Sequence, residues 1–201
     1  MARRAAYHHG DLRNALLEAT VDLVRERGAR GFSVSEAARR AGVSISAPYR
    51  HFADRDAMLA ASAQRAFTEL ETRFGALTLD EAFPARSAQI AVAYVAFARE
   101  DPARFEVMFA SGIDKAAHPE LLEQTHRIQS QLEEALSPHI REAELVQRAA
   151  ELWAIAHGVA ALSVGGSLHH VIDPSHTDTL AASGARTWAT GIPCSSESTP
   201  S

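Results

Sequence analysis

The chain has 201 residues, of which 46% are hydrophobic and 22% are charged, and its formal net charge is −5. This length allows one or two domains with a sizeable core, and the composition is that of an ordinary globular protein. No apolar run reaches the length of a membrane span, the N-terminus lacks the apolar stretch of a signal peptide, and the lone Cys194 cannot form an internal disulfide. We therefore expect a cytoplasmic protein.

Basic and acidic residues are unevenly distributed along the chain. Residues 1–60 hold ten arginines against seven acidic residues, a net charge of +3. Residues 61–201 hold ten basic against eighteen acidic residues, a net charge of −8. This asymmetry predicts that only the N-terminal part of the chain meets a polyanion.

The spacing of apolar residues is helical nearly throughout and predicts an all-α fold. After an arm at residues 1–8, a first helix is expected to be capped by Asp11 and to end before Gly28. A longer helix starts at Asp54, and the pattern breaks near residues 75–86.

Five further helices are expected beyond this break. They are predicted at Ile90 to Phe97, from Pro102 to Gly112, at Leu121 to Ala135, at roughly residues 142–168, and after Asp173-Pro174. Residues 190–201 are expected to be disordered. We predict two domains, at residues 1–58 and 59–201.

Residues 33–52 have the pattern of two short helices joined by a tight turn. Ser33 and Glu36 match a capping box, and Gly42 stands where a helix end favours a left-handed residue. Ser44 then caps the second helix, which Pro48 is expected to wind tightly because it lacks an N–H group. This is the sequence form of a helix-turn-helix, whose second helix enters the DNA major groove. An ordinary helical hairpin is the alternative.

The side chains of this second helix suit contact with DNA. Its first turns carry four short residues that allow a close approach to base edges: Ser44, Ile45, Ser46 and Ala47. Three donors that suit phosphates follow them: Tyr49, Arg50 and His51. Ile45 can touch a thymine methyl group, so we expect it to influence sequence preference.

Five segments (residues 7–13, 32–34, 37–44, 49–52 and 54–59) together resemble the DNA-binding head of the TetR family of transcriptional regulators. The resemblance implies an all-helical homodimer with a three-helix head and a body that binds a small effector. By position, it implies that Ser33 and Ser35 face phosphates and that Ser44, Ile45, Ser46, Ala47, Tyr49, Arg50 and His51 line the DNA. It also implies contacts from Arg55, where the family usually has a lysine, and from Arg3 and Arg4 in the arm. Ala47 and Pro48 depart from the usual family pattern.

The helix at residues 142–168 carries Trp153, His157 and Gly158, which are similar to the Trp…His-Gly signature of one TetR C-terminal subgroup. It has two apolar stripes, which suits packing on its own body and on a second subunit. The first stripe consists of Leu145, Ala149, Leu152, Ala156, Val159 and Ser163, and the second of Val146, Ala150, Trp153, His157, Ala160 and Val164. Because small residues permit close helix approach, we expect a homodimer built mainly by this helix, through its first stripe, and by the weaker helix after Pro174.

Any effector pocket is expected to be apolar and enclosed by the helices that carry Phe97, Phe105, Phe109, Trp153 and His157. Ordinary core packing is the alternative for all five, and for Trp153 and His157 it is the favoured interpretation.

No chemistry beyond binding is indicated by the sequence. The chain has no phosphate loop, nucleophile elbow or paired-carboxylate motif, and its adjacent histidines do not have metal-ligand spacing. We expect no enzyme activity, cofactor or metal. The leading hypothesis is a transcriptional regulator, most simply a homodimeric repressor that a small molecule releases from a near-palindromic double-stranded DNA operator. The alternative is a small-molecule binding protein or enzyme with a vestigial DNA-binding head.

Overall fold

A computed structural model describes residues 9–110 and 113–192 of the chain. Every regular element within these ranges is helical, so the predicted all-α fold is confirmed. The α-helices in this part of the chain are α1 (His9–Arg27), α2 (Val34–Arg40), α3 (Arg55–Gly75), α4 (Phe83–Glu100), α5 (Pro102–Met108), α6 (Pro119–Leu136), α7 (Leu145–Val164) and α8 (Thr177–Thr190). None of these helices is long and apolar enough to cross a membrane.

The chain divides into two compact units. The first, here called the head, comprises Met1–Phe67 and Ala103–Glu123, and the second, here called the body, comprises Thr68–Pro102 and Gln124–Ser201. Helices α3 and α6 each contribute residues to both units. Nearly all of α5 therefore belongs to the head, although it lies far along the chain from residues 1–58.

The head is built on close contacts between α1 and α2. Ala37 and Ala38 of α2 are fully buried, and their small side chains let α2 cross close to α1. Leu16 and Leu23 on the inner face of α1 are also fully buried. This packing holds α2 and the turn that follows it in a defined position.

The body is built on α4, which packs against both α7 and α8. The contact faces are rich in alanine, and many of these alanines are completely buried, including Ala91, Ala98, Ala149 and Ala185. Such small residues let helix axes approach closely, so much of the apolar surface of α7 is used within its own body.

Several element boundaries differ from those predicted. Helix α1 begins at His9, two residues before the expected Asp11 cap. Helix α7 spans Leu145–Val164, with 3-10 turns on either side of it, and is therefore shorter than the predicted 142–168. Helix α8 continues to Thr190, where disorder was predicted, whereas residues 193–201 lie outside the described part of the chain.

The prediction that the first apolar stripe of α7 faces a second subunit is wrong. Ala149, Leu152, Ala156 and Ser163 of the first stripe are buried within the body itself. They pack on the chain's own helices and are not available to a second subunit. In the second stripe, Val146, Ala150 and Trp153 are exposed. These three residues leave part of the second face of α7 available to a partner.

A candidate nucleic-acid interface

Ser33 occupies the N-cap position of α2 as predicted, but without the expected capping box. Ser33 has an extended backbone, and its hydroxyl lies 2.9 Å from the Ser35 hydroxyl instead of binding a backbone N–H. Glu36 does not reach back to Ser33, because its carboxylate accepts a 2.6 Å hydrogen bond from Arg27 Nη1 on α1. The two hydroxyls therefore form a half-buried pair at the start of α2, and their contact with phosphate stays a prediction.

The turn after α2 forms as the sequence predicts. Gly42 adopts a left-handed backbone, with φ of 71°. The N–H of Gly42 bonds to Arg39 O at 3.1 Å, and the N–H of Val43 bonds to Ala38 O at 3.0 Å. These two bonds make a Schellman motif, which satisfies the last carbonyls of α2. The motif turns the chain sharply, so that residues 44–47 follow directly in an exposed or half-buried position.

The second helix of the motif is shorter than predicted. An α-helix was expected from Ser44, but residues 44–47 form turns and only Pro48–Arg50 is helical, as a 3-10 helix. Pro48 has no N–H to reach the Ser44 carbonyl, so Ala47 N–H closes the turn on Ser44 O at 2.9 Å. The tight winding expected from Pro48 is therefore confirmed, and it extends over the whole segment.

Side chains of this segment separate cleanly into buried and exposed groups. Pro48 and Phe52 are buried and anchor it, whereas Ser44, Ile45 and Ser46 are exposed. Ile45 is 57% exposed, so this aliphatic side chain is available for contact with a partner. Three short exposed residues next to a rigid anchor make a surface that can approach base edges closely.

The predicted phosphate contacts occupy different environments. Tyr49 and Arg50 are exposed, and His51 and Ala47 are half-buried. Among the described residues, Arg50 has no hydrogen-bond or ion-pair partner, so its guanidinium is available to a ligand. Arg3 and Arg4, the predicted arm contacts, lie outside the described residues.

Arg55 is held inside the head by several of its donors. Its Nη2 donates to Ala29 O at 2.6 Å, its Nε donates to Phe32 O at 3.2 Å, and its Nη1 donates to Asp56 Oδ1 at 3.0 Å. A guanidinium has five N–H groups, so part of its donor capacity remains. Arg55 thus fixes the connection that leads to Ser33, whether or not it also meets a phosphate.

Glu106 on α5 holds the same connection from its other side. Its Oε1 accepts a 2.7 Å hydrogen bond from Ala29 N–H, so the peptide groups on both sides of Ala29 are bound by long side chains of the head. The sequence analysis did not identify this residue, because a single glutamate on a short helix has no distinguishing pattern. Glu106 is the α5 residue that fixes the entry to α2.

The five predicted effector residues do not form one cluster within either unit. Phe105 and Phe109 belong to the head, where their ring centroids are 5.1 Å apart. Phe97, Trp153 and His157 belong to the body, where Phe97 is buried and Trp153 is 42% exposed. Their role in effector binding stays a prediction.

Trp153 and His157 take part in one hydrogen-bonded group in the body. Tyr94 Oη accepts from Trp153 Nε1 at 3.3 Å and lies 2.9 Å from His157 Nδ1. Burial raises the pKa of Tyr94 above its usual range and lowers the pKa of His157. Both shifts favour the neutral form of the group. In the described residues, no group of three acidic, histidine or cysteine side chains is placed to hold a metal ion.

Two family models match this chain. The model described as bacterial regulatory proteins, tetR family, matches residues 16–62. The model described as tetracyclin repressor-like, C-terminal domain, matches residues 87–188, which is more than half of the chain. The chain belongs to the TetR family of bacterial transcriptional regulators. The TetR head resemblance found in the sequence is thus confirmed, and the second half of the chain matches a TetR-type model as well.

Solved structures similar to this TetR-family chain include three from Rhodococcus. A protein of unknown function from Rhodococcus sp. RHA1 is 26% identical, with a TM-score of 0.75 over 95% of this chain and 100% of that chain. A transcriptional regulator from the same source is also 26% identical, with a TM-score of 0.68 over 90% and 99%. A TetR-like transcriptional regulator from it, 19% identical with a TM-score of 0.66 over 92% and 100%, shares the fold. No curated protein is similar enough to count as a match.

Proposed function

We propose that this TetR-family regulator is a homodimeric repressor that binds a near-palindromic double-stranded DNA operator and is released from it by a small-molecule effector. The observation that carries the DNA-binding part is the exposed segment at residues 44–50. It offers short side chains for base edges and an available guanidinium on Arg50 for a phosphate. A metabolic enzyme would have no use for such a surface.

The positive charge of the head supports binding to a polyanion. Residues 1–60 have a net charge of +3 in a chain whose total is −5. Exposed arginines end α2 (Arg39 and Arg40) and the 3-10 helix at residues 48–50 (Arg50). DNA would repel the acidic body. Ser33, Ser35, Tyr49, His51 and Arg55 complete the proposed phosphate-contacting set, and Ser44, Ile45, Ser46 and Ala47 the base-facing set.

The exposed face of α7 supports the homodimer. Val146 is 66% exposed and Leu162 is 50% exposed, and Trp153 lies between them on the same helix. At about 100° per residue, Val146 and Trp153 lie on one edge of the exposed side of α7 and Leu162 lies on the opposite edge. Exposed apolar side chains of this size are typical of a surface that another protein covers. Leu180 of α8 is exposed as well, so the interface is proposed to include both helices.

Small residues on the same face of α7 would let a second copy approach closely. Ala150, Ala154 and Gly158 are spaced four residues apart, and a Cβ atom added at Gly158 would meet no atom within 4 Å. Because a two-fold axis brings the same face of both subunits together, one compact apolar face is enough for both sides. Two identical heads then explain why the operator should be near-palindromic.

The dimer is tested by a charge placed on this face. Gly158→Arg should convert the protein to a monomer in sedimentation equilibrium at micromolar concentration, because the exposed face cannot bury a guanidinium without a partner. Ser130→Arg, on the exposed side of α6, is the matched control and should leave the protein dimeric. A wild-type protein that sediments as a monomer, or a dimer that persists in Gly158→Arg, would contradict the proposal.

DNA binding is tested by selection from a pool of random duplexes with the purified protein. The selected sites should share a near-palindrome, and a fluorescence-anisotropy titration should give one dimer per site. Loss of the second head in Gly158→Arg should weaken binding about 100-fold or more, since the two half-sites then no longer act together. If the selected duplexes shared no common sequence, the proposal of a sequence-specific regulator would be contradicted.

A further inference from the structure

An open cavity of about 410 Å³ lies within the head, between α1, the first half of α3 and the first turn of α6. Three alanines of α3 form one of its walls: Ala57, Ala60 and Ala61. Residues three and four apart share a helix face, so these small side chains together leave the space open. Phe52 and Leu121 add apolar surface to the lining. The cavity therefore has mainly small and apolar walls, and it lies wholly outside the body.

Arg13 of α1 gives this cavity a chemical preference. Its guanidinium carbon lies 5.4 Å from the centroid of the Phe52 ring, a contact that holds the planar group over the ring. Throughout residues 9–110 and 113–192, Arg13 has no hydrogen-bond or ion-pair partner, and its nitrogen atoms are not buried. A guanidinium has five N–H donors, and contact with a ring face leaves those at its edge free. The cavity thus contains a cation whose donors can reach a ligand.

The charges around the cavity favour a ligand with a single negative charge. The guanidinium of Arg13 is always protonated in proteins, and its fork of donors matches the two oxygens of a carboxylate. The acidic Glu120 also lines the cavity, so a second negative charge on the ligand would be repelled. The other polar residues of the lining are Gln64, His51 and His118.

The size and polarity of the cavity define the rest of the ligand. Because a cavity of about 150 Å³ is large enough for benzene, this one has room for a fused two-ring group. The alanine wall of α3 offers no hydrogen bonds from its side chains, so hydroxyl groups on this part of a ligand would lose their water without compensation. A sugar or a nucleotide is therefore a poor fit, and a flat hydrocarbon group is a good one.

We propose that this cavity binds a small monocarboxylate with a flat apolar body, whose carboxylate accepts hydrogen bonds from Arg13 and whose body packs on the alanine wall of α3. The site is separate from any effector site in the body, and it goes beyond the proposed function. Phe52 lines the cavity and also anchors residues 44–50, since its N–H bonds to Pro48 O at 3.0 Å. A bound carboxylate would therefore lie beside the anchor of the segment that is proposed to face DNA.

Two probes of the same shape isolate the carboxylate. 2-Naphthoate and 2-naphthamide have the same rings and the same number of non-hydrogen atoms, and only 2-naphthoate is an anion. Ligand-observed NMR titration of the full-length protein should give a Kd of about 0.1–1 mM for 2-naphthoate, as expected for so small a ligand. 2-Naphthamide should bind about tenfold more weakly, because it cannot form a charge-assisted pair with Arg13.

Three variants and one control assign the binding to this cavity. Arg13→Met keeps an apolar stem without the guanidinium, so 2-naphthoate should bind about tenfold more weakly and no better than 2-naphthamide. Arg13→Lys keeps the charge without the paired donors and should bind 2-naphthoate with intermediate affinity. Ala61→Phe places a ring in the cavity and should abolish the binding of both probes. Arg30→Met, at an exposed position of the head outside the lining, is the matched control and should keep the wild-type affinities.

Each outcome decides for or against the site. Absence of 2-naphthoate binding, equal affinity of the two probes for wild-type protein, or wild-type affinity in Arg13→Met or Ala61→Phe would each overturn the proposal. An equal loss in Arg30→Met and Arg13→Met would also overturn it, because the effect would then come from total charge. Intermediate affinity in Arg13→Lys distinguishes recognition by the cation from a general loss of head structure. No DNA is present in these titrations, so their failure would leave the proposed regulator function untouched.

Discussion

Arg50 provides the sharpest test of how the head would meet DNA. Its guanidinium is exposed and has no partner among the described residues, so Arg50→Ala should not lower the melting temperature. If Arg50 binds a phosphate, its loss should reduce the number of counterions released on binding. The dependence of log K on log salt concentration should then become shallower.

The expected magnitude follows from counterion release. Each lost phosphate contact lowers the slope by about 0.9, and a dimer loses one contact from each head, which gives about 1.8. The ratio of the wild-type to the variant binding constant should therefore be about 12-fold smaller at 200 mM salt than at 50 mM salt. A protein that binds with a single head would show a decrease of only about 3.5-fold.

A matched set of variants makes this measurement specific. Arg141→Ala removes the same charge from the exposed surface of the body and should leave the slope unchanged, because Arg141 pairs with Glu144 of its own unit. Arg55→Ala should lower the melting temperature as well as the affinity, since it removes the bonds to Ala29 and Phe32. We expect it to shallow the slope by about one unit per head if its remaining donors reach a phosphate.

An affinity assay by fluorescence anisotropy over a series of salt concentrations distinguishes these cases. The reasoning is refuted if Arg50→Ala leaves the salt slope at the wild-type value. It is also refuted if Arg141→Ala changes the slope as much as Arg50→Ala does, because the effect would then come from total charge and not from a contact.

Three further changes have defined outcomes. Gly42→Ala should destabilise the head by about 1–2 kcal/mol in denaturant unfolding, because φ is 71° at this position. A Cβ atom there would meet no neighbour within 4 Å, so the loss would come from backbone strain alone, and an unchanged stability would show that there is no such strain. Glu151 accepts from Trp188, Arg148 and Gln147, and these bonds hold its pKa at about 2, below the ordinary 4.5. The stability that these bonds contribute is therefore present above pH 4.5 and is lost as the pH falls toward 2. Glu151→Gln should make the melting temperature fall less over this pH range than in the wild type. The corresponding difference in the free energy of unfolding is on the order of 1 kcal/mol after solvent screening. Ile45→Ala should change which duplexes are selected more than it changes non-specific affinity, and equal losses on both would argue against a base contact.

Much of the fold could be predicted because its signals are local. The left-handed Gly42, the N-cap position of Ser33 and the tight winding at Pro48 each depend on a backbone preference of one or two residues. Helical periodicity likewise indicated an all-α chain. The capping box failed because Arg27, which comes from another helix, competes for the Glu36 carboxylate. Such a competition is not visible in the spacing of residues 33–36.

The remaining features depend on which elements pack together. The two apolar stripes of α7 look equivalent in the sequence, and only the packing of α4 and α8 reveals that Ala149 and Ala156 are core residues. The same holds for Glu106, whose partner Ala29 is 77 residues away.

The central proposal is that two identical heads bind DNA through residues 44–50. Footprinting of the purified protein on a selected duplex tests it most directly. We predict two protected half-sites related by a two-fold axis, with centres about one helical turn, roughly 34 Å, or more apart, and protection that weakens in Arg50→Ala. A footprint without two-fold symmetry, or one that Arg50→Ala leaves unchanged, would contradict it.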